Sequence, residues 1–281
     1  MKKMLLRTIA FTMLLTACKK DNNSTDNNGN GTNPTLPKPT DDWYLHKVSN
    51  DNGDTSTYYY TRDRILYLME NTGIAGYAGY LINYEANLPA KVYYRKSAIE
   101  PAPGMLKQSY TYENGDLVKV VTYVTPDPAS PGEIAGYDSL EYQQHRITKA
   151  YRLGPSGGSP IAERLYTWQE DDVISMQEAI AINDKLTPVS TTTYTYNNRP
   201  NAKKALSLLF FFQRSINPEI LAAHELVKKV QTLADGQVKE TITWAKSYDP
   251  QKLPVTDTAV SITATGSSKN ISTYKYLNLK K

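Results

Sequence analysis

The sequence predicts an all-β protein: a large antiparallel hairpin meander forming a strongly curved sheet or partly closed barrel, with one short helical or irregular insertion. Three observations carry that prediction. Pairs of large residues two apart recur down the chain, 22 tyrosines stand against 4 phenylalanines, and tight-turn dipeptides alternate with longer Gly/Pro-rich connections. A spacing of two puts both members of a pair on one face of a pleated ribbon. Tyrosine, threonine and valine suit such a half-wet surface, because tyrosine buries its ring and keeps its hydroxyl in water.

Taking the second aromatic of each pair, the anchors are Tyr60, Tyr84, Tyr112, Tyr142, Trp168, Tyr196, Trp244 and Tyr276, at intervals of 24, 28, 30, 26, 28, 48 and 32 residues. A period of that kind points to tandem supersecondary units. Ile65, Leu88, Leu117, Ile147 and Val173 each open a second run four or five residues after an anchor, which is a hairpin-sized gap. Asn114-Gly115 and Asp235-Gly236 tolerate the positive φ of type I′ turns. PAPG at 101–104, TPDPASPG at 125–132 and GPSGGSP at 154–160 join one unit to the next. Two strands per unit predict on the order of 13 to 16 strands, more than a flat open sheet carries without curling.

The 48-residue interval holds the interruption, NNRPNAKKALSLLFFFQRSINPEILAAHE at 197–225. Alternation stops there, and 206–212 is a continuous apolar run. Asn217-Pro218 resembles an N-cap followed by proline at the first helical position, so 219–225 is expected to supply two helical turns. The insertion is expected to plug the end or the concave side of the sheet. After Trp244, the longer stretch SYDPQKLPVTDTAVSITATGSS carries two prolines, and the final strands are expected to pair differently.

Ahead of the meander the chain reads as an address. Lys2, Lys3 and Arg7 flank a short apolar run at 8–15 that is too brief to span a bilayer, so 1–17 reads as a signal peptide. The run ends in Leu15-Thr16-Ala17-Cys18, which resembles the lipobox of bacterial lipoproteins. That resemblance implies cleavage before Cys18 and lipidation of its thiol, with each buried methylene contributing about 0.8 kcal/mol to anchoring. Cys18 is the only cysteine, so no intramolecular disulfide exists. Residues 18–42, rich in Asn, Asp, Gly, Thr and Pro, bury too little to fold and are expected to form a disordered tether, leaving 43–281 as a single β-meander domain. Cleavage removes Lys2, Lys3 and Arg7 but no acid, so 32 bases against 28 acids become 29 against 28. The mature chain is nearly neutral, which argues against a nucleic-acid partner.

The lipobox, the Asn-rich tether, the recurrent Y-x-Y hairpins and the late NNRPN…INP insertion together resemble secreted Bacteroidetes lipoproteins of unknown function with a porin-like β fold. The hairpins are also similar to the tyrosine-rich YD repeats of Rhs-type proteins. The resemblance covers roughly 43–279 and implies no catalytic residues. Lys19 after Cys18, within KKD, is similar to sorting signals for the outer membrane and the cell surface.

Chemistry-bearing patterns are sparse. Gly154-Pro155-Ser156-Gly157-Gly158 matches G-x-S-x-G formally, but a nucleophile elbow needs a helix after it and here a hairpin follows. His46, His145 and His224 lack the spacing of a zinc site, and the 51–54 acidic turn misses the calcium-loop register, so neither metal nor other cofactor is expected. The anchors Tyr60, Tyr84, Tyr112, Tyr142, Trp168, Tyr196 and Trp244 are the candidate ligand-stacking residues, able to meet a glycan. Their competing role is a cross-strand ladder, each pair contributing roughly 0.2 to 1 kcal/mol. The leading expectation is a non-catalytic binding or structural accessory of the envelope, held to the membrane by its lipid and meeting a glycan or an envelope protein. The alternative is a glycan-directed hydrolase or the carbohydrate-binding accessory of a surface uptake system. Charges such as Arg62, Arg64, Lys91, Arg95 and Lys119 within the strands argue against a transmembrane barrel.

Overall fold

The computed structural model describes residues 43–124, 132–204, 206 and 218–279. Cys18, the signal peptide, the tether and most of the 206–212 run lie outside the described residues. The strands are β1 (Trp43–Asn50), β2 (Thr55–Tyr60), β3 (Leu66–Gly73), β4 (Gly76–Glu85), β5 (Leu88–Arg95), β6 (Met105–Glu113), β7 (Asp116–Tyr123) and β8 (Ile134–Gln143). They continue as β9 (Arg146–Gly154), β10 (Gly157–Gln169), β11 (Asp172–Ile182), β12 (Lys185–Pro200), β13 (His224–Leu233), β14 (Val238–Tyr248), β15 (Pro254–Thr263) and β16 (Gly266–Asn278). All sixteen pair in sequence order, every pair is antiparallel, and β1 pairs with β16, so the meander closes completely into a barrel. Closure removes the edge strands that a sheet of this size would otherwise leave open.

Local sequence sets the turns. Ala86 and Asn87, Asn114 and Gly115, Gln144 and His145, and Asn183 and Asp184 all have positive φ, as two-residue type I′ turns require. Gly154-Pro155-Ser156-Gly157 is another tight turn, between β9 and β10, with no helix after it. Asp235-Gly236 does turn the chain, but it joins β13 to β14 at the rim opposite the anchors.

Between β12 and β13 the expected two helical turns do not form. Pro218–Ile220 makes one 3-10 turn, closed by Leu221 N–H donating to Pro218 O, and β13 begins at His224. Proline at the first position favours the turn, but the residues that follow are drawn into the β12 ladder and into packing against the barrel interior. The final strands also depart from expectation: β14, β15 and β16 pair in the same antiparallel order as the rest.

Alternation along the strands divides the wall into a lumenal and an outer face. The lumenal apolar residues gather toward the end that carries the β12–β13 insertion. One cluster joins Leu117, Val120, Leu140, Ile147, Tyr166, Val173, Tyr194 and Leu226, and the insertion's Leu221 packs against it. The other joins Leu45, Tyr58, Leu66, Met69, Ile82, Val92 and Tyr274 with Leu206 from the insertion, and Ile220 packs against it. Leu206 is 2% exposed and Ala222 fully buried, so the insertion fills that end of the barrel. At the far rim, lumenal-face residues such as Ile180, Ile182, Ser268 and Asn270 are exposed.

Candidate functional site: the aromatic ring and the lumen

Each anchor sits at a fixed irregularity of the ladder. Tyr60 pairs with Leu66 and Tyr59 with Leu68, leaving Tyr67 as an extra residue on the returning strand. The same bulge leaves Ala90 beside Tyr84, Val118 beside Tyr112, Thr148 beside Tyr142, Ile174 beside Trp168 and Val227 beside Tyr196. At the closing seam His46 is the extra residue beside Tyr276. A bulge bends its strand and increases the local twist, which is what a sheet needs to curl into a barrel.

The eighth position belongs to Tyr248. It pairs with Pro254 and leaves Val255 unmatched, whereas Trp244 pairs with Ala259 inside a regular stretch of ladder. Trp244 therefore leaves the series of anchors, although its ring still packs against the core. The signal was in the chain: five or six residues separate Tyr60, Tyr84, Tyr112, Tyr142 and Trp168 from their apolar partners, and Tyr248 from Pro254. With Tyr248 in place the last interval becomes 28, inside the range of the others.

The ring is chained by hydrogen bonds. Tyr60 Oη donates to Leu45 O (2.7 Å), Tyr84 Oη to Leu66 O (2.7 Å), Trp168 Nε1 to Ile147 O (2.7 Å), Tyr196 Oη to Val173 O (2.8 Å) and Tyr276 Oη to Pro254 O (3.0 Å). In each case the acceptor is the residue paired with the preceding anchor. Burial pushes the phenols of Tyr60, Tyr84, Tyr112, Tyr142 and Tyr196 well above the usual tyrosine value. Tyr248 is the exception forced by the insertion: its hydroxyl donates to Glu225 Oε2 at 2.6 Å, and the Arg199 guanidinium lies 3.9 Å from its ring centroid. Tyr60, Tyr84, Tyr112, Tyr142, Trp168 and Tyr196 come together with Tyr276 as a half-buried ladder, and the polar tips of Tyr60, Tyr84, Trp168, Tyr196 and Tyr276 donate to backbone carbonyls.

Beyond the ring, the lumen is lined by cross-strand ion pairs. Arg152 Nε meets Asp138 Oδ1 at 3.1 Å, Arg164 meets Glu178 Oε1 at 2.7 and 2.9 Å, and Lys246 Nζ meets Asp257 Oδ2 at 3.2 Å. Glu240 accepts from Ser261 Oγ. These residues were not legible as a site, because their separation of 11 to 21 positions is set by hairpin register. Asp138, Glu178 and Asp257 each face a cation directly opposite, and Glu240 is met diagonally by the Ser261 hydroxyl, so the arrangement is a polar wall with most of its charge paired. Where insertion meets wall, the buried Asp257 also accepts from Tyr274 Oη (3.1 Å), and Lys203 lies 5.5 Å from the Tyr274 ring centroid. Burial alone would lower the Lys203 ammonium, but Tyr274, Glu219, Asp257 and Tyr58 around it outweigh that and hold its pKa above the usual value.

The histidines are separately engaged. His46 Nδ1 bonds Tyr58 O, His145 sits at a turn beside Asp116, and His224 Nδ1 lies 2.8 Å from Asp172 Oδ2. Among the described residues no group of three or more His, Cys, Asp or Glu side chains is placed to hold a metal ion.

Neither a family model nor a curated protein matches the sequence. A crystal structure of a porin-like protein from Bacteroides uniformis superposes with a TM-score of 0.57 at 12% identity, covering 86% of this chain and 100% of that one. This chain has a porin-like fold. A second porin-like protein, from Bacteroides vulgatus, aligns at 13% identity over 83% of this chain and 99% of that one, with a TM-score of 0.38. The TcdB2-TccC3-Cdc42 structure aligns over 78% of this chain and 14% of that one, at 12% identity and a TM-score of 0.28.

Proposed function

We propose that the protein is a lipid-anchored component of the bacterial cell envelope, whose barrel stands in water as a non-catalytic binding or structural accessory. The observation that carries this reading is the outer wall. Its outward positions include Glu70, Lys91, Arg95, Lys119, Glu141, Lys149, Glu163 and Lys228, spread around the circumference. A lysine or arginine on the lipid face near the bilayer midplane costs about 2–4 kcal/mol, so a wall of this kind belongs in water. Attachment then falls to Cys18, and the porin-like description of the Bacteroides uniformis protein supports an envelope address.

Expression in a Gram-negative host with labelled palmitate tests the reading. The native chain should carry the label and fractionate with membranes. A version with residues 1–18 replaced by an ordinary cleavable secretion signal should be unlabelled and soluble in the periplasm. Retention of that version in membranes after an alkaline carbonate wash would show instead that the barrel itself is embedded.

A further inference from the structure

Cross-strand pairing sets Tyr59 opposite Leu68, Leu68 opposite Leu81, Leu81 opposite Tyr93 and Tyr93 opposite Leu106, all on the outer face. Five large, partly exposed side chains thus form one row across β2 to β6, roughly 20 Å long at the usual strand spacing. The neighbouring row reads Thr57, Glu70, Gly79 and Arg95. The ring inside the barrel accounts for none of these residues.

Glu70 is clasped from both sides. Tyr59 Oη donates to its Oε2 at 2.7 Å and Tyr77 Oη to its Oε1 at 2.6 Å. The bond to Glu70 is the main cause that pushes Tyr59 up to about 12, while for Tyr77, also about 12, burial leads and the bond follows. Gly79 makes the second arm of the clasp. Its backbone is not in the left-handed region, so nothing in the strand conformation asks for glycine, and glycine weakens a strand. A Cβ at that position would meet Tyr77 Oη at 2.6 Å and two of its ring carbons at 3.1 Å. The absent side chain is the seat on which the Tyr77 ring lies down.

We propose that this wall is a carbohydrate-binding platform for an extended, uncharged oligosaccharide. Tyr59, Tyr77 and Tyr93 are partly exposed on this wall, where their rings would meet the C–H side of sugar rings, and the clasped Glu70 keeps acceptor capacity for hydroxyls. Glu70 and Arg95 flank Gly79 with opposite sign, so this row carries no net charge to draw a charged partner, and Thr57, Thr72 and Asn83 around them supply hydroxyl and amide groups. A bilayer fits less well, because it would have to accept the carboxylate at the centre of the patch. The platform stands apart from the lipid anchor and does not depend on it.

The test is affinity electrophoresis of the purified full-length chain through gels containing soluble neutral glucans, xylan or galactomannan, followed by calorimetry with the matching hexasaccharides. At least one polymer should retard the protein. Tyr93→Ala and Gly79→Val should each weaken binding roughly tenfold or more. Valine is the better strand former, so the second variant removes the seat of Tyr77 while keeping the wall folded, as an unchanged thermal midpoint would show. Tyr151→Phe, on the outer wall at β9 and away from β2 to β6, should bind as the native chain does. The proposal is overturned if no polymer retards the protein, or if the two platform variants bind normally. It is equally overturned if their only loss is of binding to neutral phosphatidylcholine vesicles.

Discussion

Tyr196 condenses the role of the ring into one side chain. Its aromatic body covers the insertion-end core, and its hydroxyl satisfies the carbonyl of Val173, a residue fully buried on β11. Tyr196→Phe keeps the ring and orphans that carbonyl, so it should cost about 1–3 kcal/mol in urea unfolding. Tyr123→Phe, which loses only an outer-wall contact with Ser109, should change stability by less than about 0.5 kcal/mol. Equal costs at the two sites would contradict the assignment of the ring as core. The same phenols make the fold sensitive to alkali. Each has a folded pKa raised above its unfolded value near 10, so the native state favours the protonated form. The stabilisation is complete below about pH 10 and declines as pH rises through the folded values. Tyrosinate absorbance from the ring should therefore appear together with loss of the strand circular dichroism, and a ring that ionised while that signal persisted would show it to be unsealed.

The hairpin was the unit most legible in the sequence, because its signals are local. The i, i+2 aromatic pair, the gap to the next apolar residue and Asn114-Gly115 all act within a dozen residues, and together they gave the meander and most of the anchors. Trp244 misled because it looks like an anchor in its own pair; only the bulge at Tyr248–Pro254, a property of two strands, decides between them. The two helical turns expected at 219–225 failed for a related reason, since β13 takes His224 and Glu225 into its ladder and buries Glu225 beneath Tyr248. The ion pairs of the lumen were invisible because register, not spacing, creates them. Some turns also form against their own chemistry: Ala86 holds φ of 50° and Asn87 64°. Placing an L-residue such as alanine there costs about 1–2 kcal/mol. Replacing Ala86-Asn87 by Asn-Gly should therefore stabilise the barrel by about 0.5–1.5 kcal/mol, read as a raised urea midpoint at constant slope. The converse change, Gly115→Val at φ of 86°, should lower it.

The closed barrel and its filled end solve different problems. Closure through β1 and β16 pairs every edge, so the ladder alone can hold the circle. It cannot fill the circle, because sixteen strands enclose more space than wall side chains occupy. The ring of anchors narrows the insertion end, and Leu206, Pro218, Ile220, Leu221 and Ala222 complete the apolar interior there. Toward the far rim the wall becomes charged and wet, so the lumen needs no filling on that side. It follows that replacing 201–223 by a two-residue Asn-Gly turn should leave a β-rich, closed chain with an unsealed core. Burying a large apolar side chain contributes about 1.5–3 kcal/mol, so loss of Leu206 and its neighbours should lower stability by several kcal/mol and create binding of the dye ANS, while far-ultraviolet circular dichroism stays close to native. If the deletion instead leaves stability and dye binding unchanged, the ring alone seals the barrel and the insertion is not its plug. If the strand signal collapses, closure depends on the insertion, and the division between a wall held by its ladder and an end filled by the insertion is wrong.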